Sequence, residues 1–349
     1  MNSILYLLVG TYTLGLSEGI YLYKFDIQTG NAEYVNMVKV ENPSYLEVSK
    51  DGKYIYAVAE SGTASYANAI AFDKANETLT LLNSQETKGP GPCNIEFDQK
   101  GTYVVTANYT GGSISVFAIQ DDKSLSPVKQ VVQFEGKGVD PNRQNQPHLH
   151  CVLSSPDGKY LFATDLGTDH IYRFDTHDAE PGNIFNQKTM KSFKVPDGSG
   201  PRHITFHPSG KYLYLINELS GTVIGFTYND GDISAFQEIE ADTLQARGSA
   251  DIGITPNGQY LYASNRLKGD GIAIFSIDPT DGKLAKVGYQ PTGVHPRNFV
   301  ITPNGKFLLS ASKDSNLIEV FEIDYATGLL RNINKNITLD QPVCLKFIN

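Results

Sequence analysis

The sequence predicts an all-β fold, a seven-bladed β-propeller whose first blade is closed by the C-terminal strand. Three observations carry this: a recurring unit, four strand signals within each unit, and a first strand that is missing at the N-terminus and reappears at the C-terminus. The unit runs Pro-x-x-apolar, then Pro or Asp, then x-Gly-Lys-Tyr-Leu-Tyr-Ala, and its turn glycines are Gly52, Gly101, Gly158, Gly210, Gly258 and Gly305. They lie 49, 57, 52, 48 and 47 residues apart, the period of a propeller blade with loops slightly longer than those of the common blade families.

The fifth unit illustrates the strand reading. Ala250 to Thr255 reads as a first strand, Asn257-Gly258 as a hairpin turn, Tyr260 to Ser264 as a second strand and Gly271 to Asp278 as a third. A Pro-Thr-Asp-Gly turn then leads to the fourth. Second strands such as Tyr212 to Ile216 are continuously apolar or aromatic, as expected when neighbouring blades cover both faces. The N-terminus opens on a second strand (Ile4 to Tyr12), followed by a third (Gly19 to Asp26) and a fourth (Glu33 to Val40). Pro342-Val-Cys-Leu-Lys-Phe347 copies the first-strand pattern of Pro92 to Phe97 and Pro201 to Phe206, and joining it to the N-terminal strands removes two exposed sheet edges. The expectation is therefore one domain over residues 1–349.

Composition narrows the function. Lys plus Arg number 29 against 38 Asp plus Glu, a net charge of -9 that repels nucleic acid and anionic membrane, so an anionic substrate needs a local basic cluster. Cys93, Cys151 and Cys344 make an odd count in no metal-ligand spacing, which fits a reducing compartment. The run Ile4 to Val9 lacks a basic flank and a cleavage site and is too short to span a bilayer. The expected address is the cytosol, with no membrane partner.

Cross-strand neighbours follow from reflecting positions about each hairpin turn. Reflection places Glu218 opposite Pro201 and beside Arg202, Asp165 opposite His150, Arg266 opposite Ser249, and Asn108 by Cys93. First-strand starts and second-strand ends thus fall at one rim, which collects His148, His150, Arg202, His203, Glu218, Asn265, Arg266 and Arg297, with Arg143 and Arg247 in the loops leading into it. Five of the seven arginines (143, 202, 247, 266 and 297) lie there. First strands line the axis of a propeller, so these side chains are expected to converge on one funnel mouth. A purely structural alternative for Arg202 and Glu218 is an inter-strand ion pair. His207 lies at the opposite turn, and His170 and His177 at an outer strand and a loop; His295 is in a rim loop.

Other chemistries lack their motifs. The chain has no Gly-x-Ser-x-Gly, no Gly-rich phosphate loop after a strand and no His-Glu-x-x-His. His148-x-His150 is a partial metal-ligand pattern without assignable third and fourth ligands, so no metal and no cofactor are expected. None of the cysteines has a base partner in the reflected register.

The segments Gly10-Thr-Tyr-Thr13, Pro90-Gly-Pro-Cys93, Ala107-Asn-Tyr109, Arg143 to His150, Thr164-Asp-Leu-Gly167, Gly200-Pro-Arg-His203, Asn217-Glu218 and Ser264-Asn-Arg266 resemble the propeller-type 6-phosphogluconolactonases, in order and in blade position. The fungal carboxymuconate-cyclising enzymes are similar at greater distance. Two departures stand out: Gly253 where relatives carry a His, and Leu267-Lys268 where they carry Gly-His. The resemblance implies a hydrolase of a phosphorylated sugar δ-lactone, with His148, Arg202, Glu218 and Arg266 as the catalytic set and Asn108, Arg143, His150, Asp165, His203, Asn265 and Arg297 binding substrate. Such a reaction needs a proton acceptor for the attacking water and positive charge near the oxyanion. Glu218 or His148 fits the base, Arg202 and Arg266 the charge, and His150 is expected to be positioned by Asp165. The competing readings are an isomerase that forms or opens an unsaturated lactone, and a non-catalytic ligand- or protein-binding propeller.

Overall fold

The computed structural model describes residues 3–62, 64–98, 100–176 and 184–348. Seven antiparallel sheets account for nearly all regular structure, the architecture of a seven-bladed β-propeller; the one helix among the described residues is the 3-10 turn Lys313–Ser315. No helix there is long and apolar enough to cross a membrane.

The sheets follow the repeat. In the fifth unit the strands are Ser249–Ile254, Tyr260–Asn265, Gly271–Ile277 and Leu284–Pro291, each paired with the next. The six repeat glycines all sit in the left-handed region, with φ between +66° and +74°. The turn demands that conformation and a side chain would resist it, which is why glycine marks the period. The first sheet has the strand order Pro342–Ile348, Ile4–Thr11, Gly19–Asp26, Ala32–Lys39. Ile348 pairs with Tyr6 and Leu345 with Val9, so the C-terminal strand supplies the inner edge that the N-terminus lacks.

By contact density the chain divides into two compact units, residues 37–202 and residues 1–36 with 203–349. In the first unit, Val105, Ile114, Leu149, Val152, Leu161 and Phe174 pack between adjacent sheets. In the second, Leu7, Val9 and Phe25 pack with Leu309, Val320 and Leu345. Burial of such apolar pairs between sheets is the main stabilising term.

Two features set the site. The third first-strand residue of a unit reaches the backbone of the next first strand: Asn94 Oδ1 accepts from Val152 N at 2.9 Å, Asp251 Oδ2 from Phe299 N at 3.2 Å, and Asn298 Oδ1 from Leu345 N at 2.7 Å. Four first strands also carry a bulge at their start, at Pro92/Asn94, Leu149/Cys151, Ser249/Ile252 and Pro296/Asn298. The bulge corrects the register expected from reflection, because one extra residue on the first strand moves every partner above it by one. Asp165 pairs with Leu149 rather than His150, Asn108 with Pro92 rather than Cys93, and Asn265 rather than Arg266 with Ser249.

Candidate active site

Within residues 37–202 the polar groups gather around Tyr109. The His148 backbone N–H donates to Asp165 Oδ1 at 2.7 Å, and its carbonyl accepts from Leu166 N at 3.0 Å, so His148 is pinned from both sides. Its ring stacks on Tyr109 with centroids 4.4 Å apart and 19° between planes. Nδ1 lies 2.9 Å from the Tyr109 carbonyl oxygen. A carbonyl only accepts, so Nδ1 carries the proton and Nε2 presents its lone pair. Among the described residues Nε2 has no hydrogen-bond partner.

Asp165 is fully buried. Burial pushes its carboxyl above the usual carboxylate range, against the pull of its three donors, which are Thr168 Oγ1 (2.7 Å), His148 N and Gly167 N (2.9 Å). The expected Asp165–His150 contact is absent: Asp165 holds the backbone of His148, the direct result of the bulge. His150 instead meets Tyr109 edge-on at 5.5 Å, with Nδ1 3.7 Å from Cys93 Sγ. That corrects the expectation that no cysteine has a base partner, for reflection finds partners within a blade and this one lies on the next. The Cys93 thiol also faces the carbonyls of Leu149 and His150, at 3.7 and 3.5 Å, which favour S–H over thiolate. Arg143 donates from Nη2 to Tyr109 Oη at 3.3 Å. The Arg202 carbonyl accepts from Thr164 Oγ1 at 2.6 Å, and its side chain is 1% exposed. Asn108 is fully buried and bonded to Ser113 and Ser115 in its own sheet, so it braces the sheet.

Within residues 203–349 the centre is Arg266. Its Nη2 lies 3.2 Å from Glu218 Oε2, both side chains being buried. Nε donates to the Gly248 carbonyl at 2.8 Å, and Nη1 lies 3.3 Å from His295 Nε2. His295 Nδ1 is in turn 3.0 Å from Asp314 Oδ2, and its backbone N–H donates to Asp270 Oδ1 at 2.7 Å. A guanidinium only donates, so His295 Nε2 must accept and Nδ1–H must point at Asp314. Burial, then the charges of Arg266, Lys313 and Arg297, hold this imidazole down to about 3, against the opposing pull of Asp314. His203 Nδ1 lies 2.8 Å from Asp251 Oδ1, and Asn298 Nδ2 donates to Asp251 Oδ2 at 2.5 Å. Asn265, like Asn108, is turned inward, bonded to Ser249 Oγ and the Ala241 carbonyl. Arg297 and Lys313 lie over the Tyr12 ring, at 5.4 and 5.9 Å from its centroid.

Sequence reasoning missed the parts played by Tyr109, Asp251, His295 and Asp314. The His295 signal was its rim loop; the others act through neighbours that no hairpin reflection reaches. His207 sits at the far turn, with its ring nitrogens 2.8 Å from Ser209 Oγ and 3.0 Å from the Gly258 carbonyl. His170 stacks on Tyr172 at a third strand, and His177 lies outside the described residues. Among the described residues no group of three or more His, Cys, Asp or Glu side chains is arranged to hold a metal ion.

Comparison with known proteins adds a family and its relatives. Residues 6–347 match the family described as Lactonase, 7-bladed beta-propeller. A 6-phosphogluconolactonase of Formosa agariphila is 37% identical over 92% of this chain and 93% of its own. A solved Bacteroides fragilis protein, described as a candidate 6-phosphogluconolactonase, is 52% identical with a TM-score of 0.96, covering 100% of this chain and 99% of its own. The periplasmic gluconolactonase PpgL of Pseudomonas aeruginosa is 31% identical with a TM-score of 0.94, covering 99% of each chain.

Proposed function

Because the chain belongs to the lactonase family of seven-bladed β-propellers, we propose that it hydrolyses a sugar δ-lactone, 6-phosphogluconolactone to 6-phosphogluconate, with His148 as general base. The observation that carries this reading is the His148 tautomer. An imidazole whose Nδ1–H is held by the Tyr109 carbonyl, whose plane is held by the Tyr109 ring and whose backbone is held by Asp165 keeps a basic Nε2 in one direction. In the proposed reaction Nε2 takes a proton as water adds to the lactone carbonyl. The tetrahedral oxyanion collapses, the ring C–O bond breaks, and the imidazolium returns the proton to the leaving ring oxygen. Glu218 is less suited to that task, since its carboxylate is engaged by the Arg266 guanidinium at 3.2 Å.

Arg202 supplies positive charge for the oxyanion from its buried position. Arg143 and His150 border the substrate, while Asn108 braces the strand beneath. No cofactor takes part. The three buried free cysteines support a cytosolic setting, and the net charge of -9 supports a small-molecule rather than a nucleic-acid partner.

The test is hydrolysis of 6-phosphogluconolactone by purified protein, with product read by coupled oxidation of 6-phosphogluconate and spontaneous hydrolysis subtracted. Turnover is expected, and His148→Ala should lower kcat by roughly 10²- to 10⁴-fold. A rate equal to spontaneous hydrolysis on this lactone and on glucono-δ-lactone defeats the reading.

A further inference from the structure

The loop around His295 concentrates positive charge in an acidic chain. Arg266 touches the imidazole at Nε2, Lys313 N donates to the His295 carbonyl at 3.0 Å, and Arg297 follows two residues later. Lys313 Nζ and the Arg297 guanidinium share the Tyr12 ring as a common floor. Both are half-buried. The acidic groups nearby are engaged: Asp314 with His295 and Lys313, Glu218 with Arg266, and Asp270 with the His295 backbone. That the imidazole resists protonation beside the Asp314 carboxylate reports, apart from burial, a net positive field from Arg266, Lys313 and Arg297.

We propose that this cluster is a phosphate-binding site, with Arg297 and Lys313 contacting a phosphomonoester and His295, fixed by Asp314, holding the Arg266 guanidinium toward it. The inference rests on the lactonase reading and adds the residues that would distinguish a phosphorylated lactone from a plain one. A phosphomonoester offers three acceptor oxygens and close to two charges. An arginine fork, a lysine point charge and a second guanidinium answer them better than they answer a hydroxymethyl group. A neutral imidazole suits its place, because an imidazolium there would turn an N–H toward Arg266 and lose the acceptor.

The test compares wild type, Arg297→Met, Lys313→Met and Arg297→Lys in two measurements. Calorimetric titration with 6-phosphogluconate reads the subsite without turnover. Steady-state kinetics on 6-phosphogluconolactone and glucono-δ-lactone read its selectivity. Each Met variant is expected to weaken 6-phosphogluconate binding and to raise KM for the phosphorylated lactone by roughly 10- to 100-fold, at least tenfold more than for the plain lactone. Arg297→Lys should recover part of the loss, because the charge remains while the fork is gone. A merely structural role would affect both lactones alike. Equal losses on both substrates, unchanged 6-phosphogluconate affinity in the Met variants, or no binding of it by wild type would overturn the inference. Binding of 6-phosphogluconate by a wild type without turnover would instead defeat the lactonase reading and leave the subsite standing.

Discussion

Removing residues 341–349 tests the closure of the first sheet, and its cost follows from what that strand buries. Val343, Leu345, Phe347 and Ile348 are between 1% and 9% exposed, and a fully buried side chain of this kind contributes about 1.5–3 kcal/mol. The four together contribute roughly 6–12 kcal/mol, an upper estimate because the unfolded chain already buries part of this surface. Deletion also strips Leu7 and Val9 of cover and leaves Ile4–Thr11 as an open inner edge. Against a total stability of about 5–15 kcal/mol, a chain ending at Asp340 should not fold. Equilibrium urea unfolding followed by far-ultraviolet circular dichroism reads the outcome, and the full chain should show one cooperative transition if residues 1–349 form one domain. A permuted chain supplies the control. Ile348 lies opposite Tyr6, so moving residues 341–349 ahead of Met1 rebuilds the same strand pair as a hairpin. That chain should regain most of the native midpoint. If the truncated chain unfolds at the full-length midpoint, or the permuted chain is no more stable than the truncated one, the closure argument is wrong.

Four further outcomes follow from the site. Asp165→Asn should leave kcat within about tenfold, because an amide oxygen can accept from both His148 N and Gly167 N while the Thr168 hydroxyl turns to accept; Asp165→Ala should cost about 1–3 kcal/mol in thermal unfolding and reduce kcat with it. Gly167→Ala should do similar damage, since a Cβ there would overlap the Gln146 carbonyl beside His148. Glu218→Gln should retain kcat within about tenfold if the carboxylate serves Arg266, whereas a loss of roughly 10²-fold or more would make Glu218 the base instead. His295 has a folded pKa of about 3 against an ordinary 6.5, so between those values the unfolded chain binds a proton that the native chain does not. Stability therefore falls as pH drops through that window, by up to about 1 kcal/mol per unit; His295→Gln should flatten the slope between pH 6.5 and 4, and parallel curves for variant and wild type would refute it. The raised Asp165 carboxyl acts in the opposite direction but equally in both chains, so the comparison isolates His295.

The sequence by itself determined the blade count, the strand order and the closing strand, because these depend on local signals. A left-handed turn needs glycine at Gly52 and its five counterparts, and an inner strand repeats one apolar pattern from Pro92 to Pro342. It also offered His148, Arg266 and Glu218 as candidates, through motif order. Tertiary structure decided what those residues touch. The bulge between Leu149 and Cys151 moved Asp165 from the His150 ring to the His148 backbone, a change no period-two pattern registers. The partners of Arg266 come from separate stretches of chain: Glu218 ends one second strand, while His295 and Asp314 flank the first and second strands of the sixth unit. Tyr12, at the N-terminus, floors two cations nearly 300 residues away. Hairpin geometry relates neighbours within a blade, whereas the charge and tautomer of each site group are set by contacts between blades, which form only when the sheets pack.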